Sequence, residues 1–294
     1  MKSTTIAVIA AVLIVVIAAS IVTAYVNCSK EKDNKKGITL IDDEGNKIIL
    51  TSVPQRIVSL APSCTQIAFA IGLGDKVVGV TTADDYPYNF SAWAATGNIT
   101  LDGDYGNPNM ETISSLRPDL IITDNINDAN LPYLRSEGYN ILVLNPVTIK
   151  GICKDITLLG NATNEQTKAN ILVTNITGTI NSIATKIADA HVAKLKVFYE
   201  MWEPPNGGSY MTVANDTWIN EVITKAGGVN IFSNTTGGYI TLPSETIVTL
   251  NPEAIFLPTK MGEAPFYGSI SQVKITAGWN VISAVQHNRI YIVD

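Results

Sequence analysis

Two glutamates occupy the same place in a repeated segment, and they are the first candidates for chemistry in this chain. Glu111 begins the segment ETISSLRPDLI, and Glu245 begins the segment ETIVTLNPEAI. Each copy is typical of a short helix, a Pro-acid turn and a buried strand. An exposed carboxylate in each copy can make charge-assisted contacts with arginines of another molecule. A glutamate in a first helical turn also complements the helix dipole and caps free amides, so both interpretations stay open.

Aromatic residues stand at matching distances from these glutamates. Tyr105 precedes Glu111 by six residues, and Tyr239 precedes Glu245 by six. An aromatic side chain buries about 150–250 Å² and suits the apolar face of a ligand. We therefore predict that Tyr105 and Tyr239 line a ligand site, one from each copy of the repeat. Core packing is the alternative for either tyrosine taken alone.

Two further residues are predicted to join this ligand site. Trp202 comes just after a predicted strand, Lys196 to Glu200, and is the third aromatic candidate. Asp124 ends another predicted strand, Leu120 to Thr123, and is a weaker candidate. The other tryptophans are interpreted as packing residues: Trp93, Trp218 and Trp279.

The sequence does not support an enzyme. It has no Gly-x-Ser-x-Gly, no His-Glu-x-x-His and no phosphate loop. Gly72 and Gly74 follow a predicted helix rather than opening one, so they indicate a helix stop and not a dinucleotide fingerprint. We predict a protein without catalytic residues and without a cofactor.

The ionisable residues argue against two other kinds of ligand. The only histidines are His191 and His287, too few for a bare zinc or manganese ion, so no metal site is predicted. Lysine and arginine are scattered and the net charge is −6, so nucleic acid is not an expected partner. A strongly anionic chelate is not favoured either, because the chain has only four arginines: Arg56, Arg117, Arg135 and Arg289.

The elements around these residues predict an α/β fold. Short apolar runs alternate with helical patterns, which is typical of βαβ units and parallel sheets. A helical pattern from Thr163 to about Ala190 separates the two copies of the repeat and carries one apolar stripe. Ser63-x-x-Gln66 and Thr163-x-x-Gln166 are predicted helix caps. The simplest architecture is two similar α/β lobes with parallel sheets, joined by a long spine helix, with the ligand between them.

The N-terminal segment differs in kind from the rest. Ile6 to Val26 contains no charged residue and would span about 30 Å as a helix, the thickness of a bilayer core. We predict an uncleaved membrane anchor, with a lipidated Cys28 and a cleaved signal peptide as the alternatives. Cys64 and Cys153 are expected to be free thiols, with a disulfide between them as the alternative.

Three blocks of sequence resemble one known family. Arg56 to Ile67 (RIVSLAPSCTQI), with the GLGDKVVGV that follows at Gly72, is similar to the opening signature of the binding proteins that serve iron-chelate and cobalamin ABC importers. Leu116 to Ile121 matches the next block of this family, and Gly278 to Val293 resembles its closing block. The resemblance covers roughly residues 54 to 294. In the family one or two further helices follow the last strand, whereas this chain ends at Asp294.

The resemblance implies a function. It implies an extracytoplasmic substrate-binding protein that acts as a monomer and delivers a bulky metal chelate to an ABC permease dimer. The first ligand class is a corrinoid such as cobalamin, and the second is a ferric siderophore or haem. Glu111 and Glu245 match the carboxylates that the family presents to permease arginines. The alternative is a surface sensor or adhesion module that uses the same fold without transport.

The resemblance and the repeat together give the expected domains. Residues 1–36 form the anchor or signal segment and its linker, 37–160 the N-terminal lobe, 161–192 the spine helix and 193–294 the C-terminal lobe.

Overall fold

The computed structural model describes residues 37–202, 208–258 and 269–293, which fold as an α/β protein with two parallel sheets. The described part begins with an antiparallel hairpin of β1 (Ile38–Ile41) and β2 (Lys47–Leu50). Asp42 closes its turn, because its Oδ1 accepts the backbone N–H of Asn46 at 2.7 Å. The predicted anchor, Ile6 to Val26, lies outside the described residues. Within the described ranges no helix is both long and apolar enough to cross a bilayer.

The first sheet has five parallel strands, and the buried runs predicted from the sequence form most of it. In spatial order the strands are β5 (Thr100–Leu101), β4 (Val77–Val80), β3 (Ile57–Ser59), β8 (Leu120–Thr123) and β9 (Ile141–Val143). Alternate side chains of β8 enter two different core clusters, Ile122 on one face and Ile121 on the other. Both faces are covered, which explains why these strands read as continuous apolar runs.

Five helices and a small hairpin accompany the first sheet. The hairpin pairs β6 (Gly103–Asp104) with β7 (Asn107–Pro108). The helices are α1 (Pro62–Ala70), α2 (Phe90–Ala95), α3 (Met110–Leu116), α4 (Leu131–Ser136) and α5 (Ile149–Thr163).

The predicted long helix begins later than expected. It is α6 (Gln166–Ala190), and Thr163 does not cap it, because Thr163 belongs to α5 and bonds the carbonyl of Leu159. Asn164, in the left-handed region at φ 63°, ends α5 and allows the chain to start a new helix. Leu172 and Ile176 of the apolar stripe of α6 contact the core of the first sheet, whereas Ile183, nearer the end of the helix, is exposed.

The second sheet has four parallel strands and follows α6 in the chain. In spatial order they are β12 (Gly228–Asn230), β10 (Leu195–Tyr199), β14 (Ala254–Pro258) and β15 (Ile290–Val293). A separate antiparallel pair joins β11 (Ser209–Val213) to β13 (Tyr239–Pro243). The helices here are α7 (Trp218–Lys225), α8 (Ser244–Leu250), α9 (Ile270–Ile275) and α10 (Ser283–Gln286).

Of two other local predictions, the helix cap at Ser63 is wrong and the free thiols at Cys64 and Cys153 are confirmed. The cap predicted at Ser63 is wrong: α1 begins at Pro62, with Ala61 as its N-cap residue and no side-chain cap. Proline in the first turn supplies the helical φ without needing a partner for an N–H, and Ser63 lies inside the helix. Cys64 and Cys153 are both free thiols, as expected; Cys64 is fully buried and Cys153 partly so.

Candidate functional site

The two copies of the repeat adopt the same local structure. Helices α3 and α8 each have seven residues, and each ends at a residue in the left-handed region, Arg117 (φ 47°) or Asn251 (φ 49°). The acid of each Pro-acid turn then binds the first strand of its own sheet. Asp119 accepts the backbone N–H of Arg56 at 2.9 Å, and Glu253 accepts that of Lys196 at 2.9 Å. The turn therefore fixes each helix against its sheet.

Glu111 and Glu245 occupy equivalent exposed positions at the start of these helices. Each lies in the first turn, and each side chain is open to solvent. Neither forms an ion pair with another described residue. In α3 the N-cap bond comes from Asn109, which accepts the N–H of Thr112, so capping there does not depend on Glu111. Both carboxylates are free for an external cation.

Tyr105 lies at the tip of the β6–β7 hairpin, held by two contacts at the base of the hairpin. Thr82 donates its hydroxyl to Asp104 at 2.6 Å, and its N–H to the carbonyl of Gly103 at 2.9 Å. Gly103 has φ +124°, and a Cβ there would lie 2.5 Å from the backbone nitrogen of Asn109. Only glycine fits this tight return of the chain.

The Tyr105 hydroxyl donates a hydrogen bond of 2.7 Å to Oδ2 of Asp124. Asp124 follows β8 at the carboxyl edge of the first sheet, and its Oδ1 accepts the N–H of Ile126 at 3.2 Å. Burial, together with the carboxylate of Asp124, raises the pKa of Tyr105. Burial also raises the pKa of Asp124, while the hydrogen bond from Tyr105 opposes that rise. The phenol remains 40% exposed, so one part of the ring is available to a ligand.

Tyr239 begins β13, and Asp216 holds the loop that precedes it. The carboxylate of Asp216 accepts the N–H groups of Gly237 at 3.0 Å and Gly238 at 2.9 Å, and these bonds lower the pKa of Asp216. Burial raises the pKa of Tyr239, and the side chain of Trp218 opposes that rise. Tyr239 is 50% exposed. Trp218, interpreted from the sequence as a packing residue, therefore also acts on the pKa of this tyrosine.

Charge interactions link Tyr239, on the side of the second sheet, with residues beside the first sheet. After burial and Trp218, the next influence on the pKa of Tyr239 is the charge of Asp124, and Tyr239 makes a smaller contribution to the raised pKa of Tyr105. These effects decline with distance, so the three side chains are within electrostatic range of one another. We call Tyr105, Asp124 and Tyr239 the tyrosine cleft.

Trp202 lies beside the β11–β13 pair. Its backbone bridges Met211 of β11, with N···O distances of 3.3 Å and 2.7 Å for the two hydrogen bonds. Its side chain is partly exposed. The other two tryptophans have different surroundings: Trp279 is fully buried and donates to Ser244, while Trp93 packs against Phe69, Tyr88 and Phe90.

Two shallow cavities lie away from the tyrosine cleft in the described part of the molecule. One shallow cavity, of about 410 Å³, lies along α6 between Thr167 and Asn175. The other, of about 430 Å³, lies between Arg56 and Trp93 on the first sheet. We base the site on the convergent polar and aromatic side chains rather than on cavity volume. No group of three or more potential metal ligands occurs among the residues described.

Comparison with known proteins identifies a consistent set of relatives. A model of the periplasmic binding protein family matches residues 57–294. The chain is 31% identical over 273 residues to an uncharacterized ABC transporter substrate-binding lipoprotein of Bacillus subtilis, covering 90% of this chain and 81% of the relative. It is 29% identical over 204 residues to the vitamin B12-binding protein of Vibrio parahaemolyticus, covering 69% of this chain and 70% of the relative.

A solved structure has the same fold. The crystal structure of the periplasmic vitamin B12 binding protein of Vibrio cholerae aligns with a TM-score of 0.66 and 26% identity, over 82% of this chain and 88% of that one.

Proposed function

This chain belongs to the periplasmic binding protein family, and from that membership we propose that it captures a corrinoid between two lobes and delivers it to an ABC permease. Its role is that of an extracytoplasmic substrate-binding protein. A ferric siderophore or haem is the second ligand class. Two relatives are named for vitamin B12 binding, which supports the corrinoid as the first.

The observation that carries the proposal is the tyrosine cleft. Tyr105 and Tyr239 occupy equivalent positions in the two copies of the repeat, one before α6 in the chain and one after it. Tyr105 is 40% exposed and Tyr239 is 50% exposed. A flat ligand placed between two such rings buries an apolar face against each. Asp124 adds a polar contact between them. Trp202 is proposed to extend the same surface on the side of the second sheet.

The ligand class is tested by titrating the detergent-solubilised full chain with cyanocobalamin, ferrichrome and haemin under one set of conditions. We expect the tightest saturable binding with cyanocobalamin. Tyr105→Ala and Tyr239→Ala should each weaken it by about tenfold or more, as loss of a central aromatic contact does. Tyr133→Ala, which removes an equally exposed tyrosine from α4, is the control and should bind normally. If none of the three ligands binds, the proposed ligand class is wrong.

The two-lobed arrangement is proposed with the boundaries 37–160, 161–192 and 193–294. Its support is that α6 connects the last helix beside the first sheet to the first strand of the second sheet. One contact also crosses it: Glu221 of α7 accepts the backbone N–H of Ile149, at the start of α5, at 2.9 Å.

The docking role of Glu111 and Glu245 is likewise proposed. Two exposed carboxylates in matching helix starts can engage two arginine pockets of a dimeric permease. Each contact contributes about 1.5–3 kcal/mol where water is excluded.

The form of the membrane attachment is proposed from sequence. An apolar anchor, Ile6 to Val26, holds the binding domain at the outer face of the membrane, and acylation of Cys28 is the alternative. The Bacillus relative is named a lipoprotein, which supports a tethered rather than a freely diffusing protein. The intact mass of protein extracted from membranes separates the two, because a lipoprotein lacks residues 1–27 and carries acyl chains.

A further inference from the structure

We infer that Asp124 makes the tyrosine cleft selective for ligands rimmed with hydrogen-bond donors, such as carboxamides, and unfavourable for otherwise similar ligands rimmed with carboxylates. This inference rests on the proposed function, since it assumes that the ligand enters between Tyr105 and Tyr239. It assigns the discrimination to one charged residue rather than to the shape of the cleft.

Asp124 has unused acceptor capacity. Its Oδ2 accepts one hydrogen bond from the Tyr105 hydroxyl, and its Oδ1 accepts one from the N–H of Ile126. An ionised carboxylate offers about four acceptor positions. About two therefore remain for donors on a ligand. A ligand carboxylate has no proton to offer them at neutral pH.

The charges around Asp124 increase its negative field. Among the described residues Asp124 is in no ion pair. The acid Asp128 feels the charge of Asp124, and Arg135, the cation that acts on Asp128, is bound to Glu44 at 3.0 Å. The other neighbours are the neutral phenols of Tyr105 and Tyr239 and the buried thiol of Cys64. A ligand anion placed here would therefore face a carboxylate that no cation of the described residues compensates.

Burial strengthens this effect. Asp124 is only partly open to solvent, and burial raises its pKa, which reflects a poorly hydrated carboxylate. The hydrogen bond from Tyr105 stabilises the charged form. Electrostatic interactions in such a place are screened less than at the open surface.

Asp124→Asn isolates the charge from the geometry. The asparagine has nearly the same shape: its carbonyl oxygen can accept the N–H of Ile126, and its amide group can donate a hydrogen bond to the Tyr105 hydroxyl oxygen. The control is Glu137→Gln, which removes one negative charge from an exposed position at the end of α4. Thermal unfolding of both variants shows that they fold.

The test uses two ligands that differ in one group. Cyanocobalamin carries a rim of amides, and each of its isomeric monocarboxylic acids has one amide converted to a carboxylate. We expect the wild type to prefer the amide over at least one isomer by about 10- to 100-fold, the range for a hydrogen bond to a charged group. Asp124→Asn should reduce that ratio to near one, and Glu137→Gln should leave it unchanged. A ratio that is the same in Asp124→Asn and the wild type overturns the inference while leaving corrinoid binding intact.

A second pair of ligands tests the inference if the proposed corrinoid does not bind. If the wild type binds haemin and no corrinoid, the corrinoid proposal is wrong, and haemin is then compared with its dimethyl ester. The ester should bind more tightly in the wild type, and Asp124→Asn should remove that difference. Equal affinities for acid and ester in the wild type overturn the inference for this ligand as well.

Discussion

Asp102 illustrates how a single residue can set the response of this protein to pH. Its side chain has no exposed surface, and neither carboxylate oxygen accepts a hydrogen bond from a described residue. Burial, with the nearby charge of Asp84, raises the pKa of Asp102 to about 8. Asp155 behaves similarly: burial and the adjacent Asp43 raise its pKa to about 8. Both acids are therefore protonated in the folded state at neutral pH, whereas in the unfolded chain they are ionised.

The pH dependence of stability follows from this difference. Above a pH of about 4 the unfolded chain has released the proton of Asp102, while the folded protein keeps it until a pH of about 8. The free energy of unfolding therefore falls between these values, by up to about 1.4 kcal/mol per pH unit for this group, and levels off above them. Asp102→Asn should lose that part of the slope, so its stability relative to the wild type increases from pH 5 to pH 8.

Urea unfolding at several pH values measures this effect. Glu137→Gln, at an exposed site, is the control and should run parallel to the wild type. Parallel curves for Asp102→Asn as well would show that Asp102 is ionised in the folded protein.

At the scale of elements, the β6–β7 hairpin decides where Tyr105 lies. The chain leaves the hairpin for α3 through a tight turn, in which Asn109 donates its N–H to the carbonyl of Asp102 at 2.6 Å. A Cβ at Gly103 would lie only 2.5 Å from the same nitrogen. The corresponding support in the second half is different: Asp216 binds the backbone of Gly237 and Gly238 ahead of Tyr239. The two copies of the repeat thus share the helix and the turn, but different local contacts hold the two tyrosines in place.

Gly103→Ala should displace the hairpin. The added Cβ would lie 2.5 Å from the nitrogen of Asn109, at a φ of +124° that alanine rarely adopts. We expect a loss of about 1–3 kcal/mol in stability together with weaker ligand binding. Thermal unfolding and ligand titration measure the two effects.

Gly178→Ala serves as the matched substitution. Gly178 lies within α6 and has no neighbouring atom within 4 Å of an added Cβ. That change should stabilise the protein by about 0.5–1 kcal/mol and leave binding unchanged. Unchanged ligand affinity in a folded Gly103→Ala protein would mean that the hairpin does not position Tyr105 for binding.

At the scale of the whole molecule, transport separates an importer component from a sensor or adhesion module. A binding protein must present its loaded state to a permease, and the two exposed glutamates are the proposed contacts. A sensor built on the same fold has no need of them. Ligand binding alone does not distinguish these two functions.

Charge reversal tests the docking proposal. Glu111→Lys and Glu245→Lys should each reduce ligand uptake by cells, and the double variant should reduce it further, because each lysine faces an arginine pocket. Affinity for the ligand should stay unchanged, since neither glutamate belongs to the tyrosine cleft. Glu137→Lys is the control for a general change in surface charge. Undiminished uptake by the double variant would falsify the docking role.

Much of the fold could be predicted from local patterns. The strands at Val77–Val80 and Leu120–Thr123 are short apolar runs with both faces buried, so their composition alone marks them. The repeat placed the helices that carry Glu111 and Glu245 correctly to within one residue of their starts. The caps predicted at Ser63 and Thr163 were wrong, because a capping pattern inside a helix looks the same as one at its start.

The sequence by itself determined the α/β class, the repeat and the candidates Tyr105, Asp124, Tyr239 and Trp202, because apolar periodicity and composition are local properties of the chain. Only the tertiary structure decided that Tyr105 bonds Asp124, that Trp218 acts on the pKa of Tyr239, and that Asp102 is buried without a partner among the described residues. These contacts join residues that are far apart in the chain or on different elements. They depend on the order of the strands in each sheet and on the conformations of the loops between them. No local sequence pattern encodes either of these.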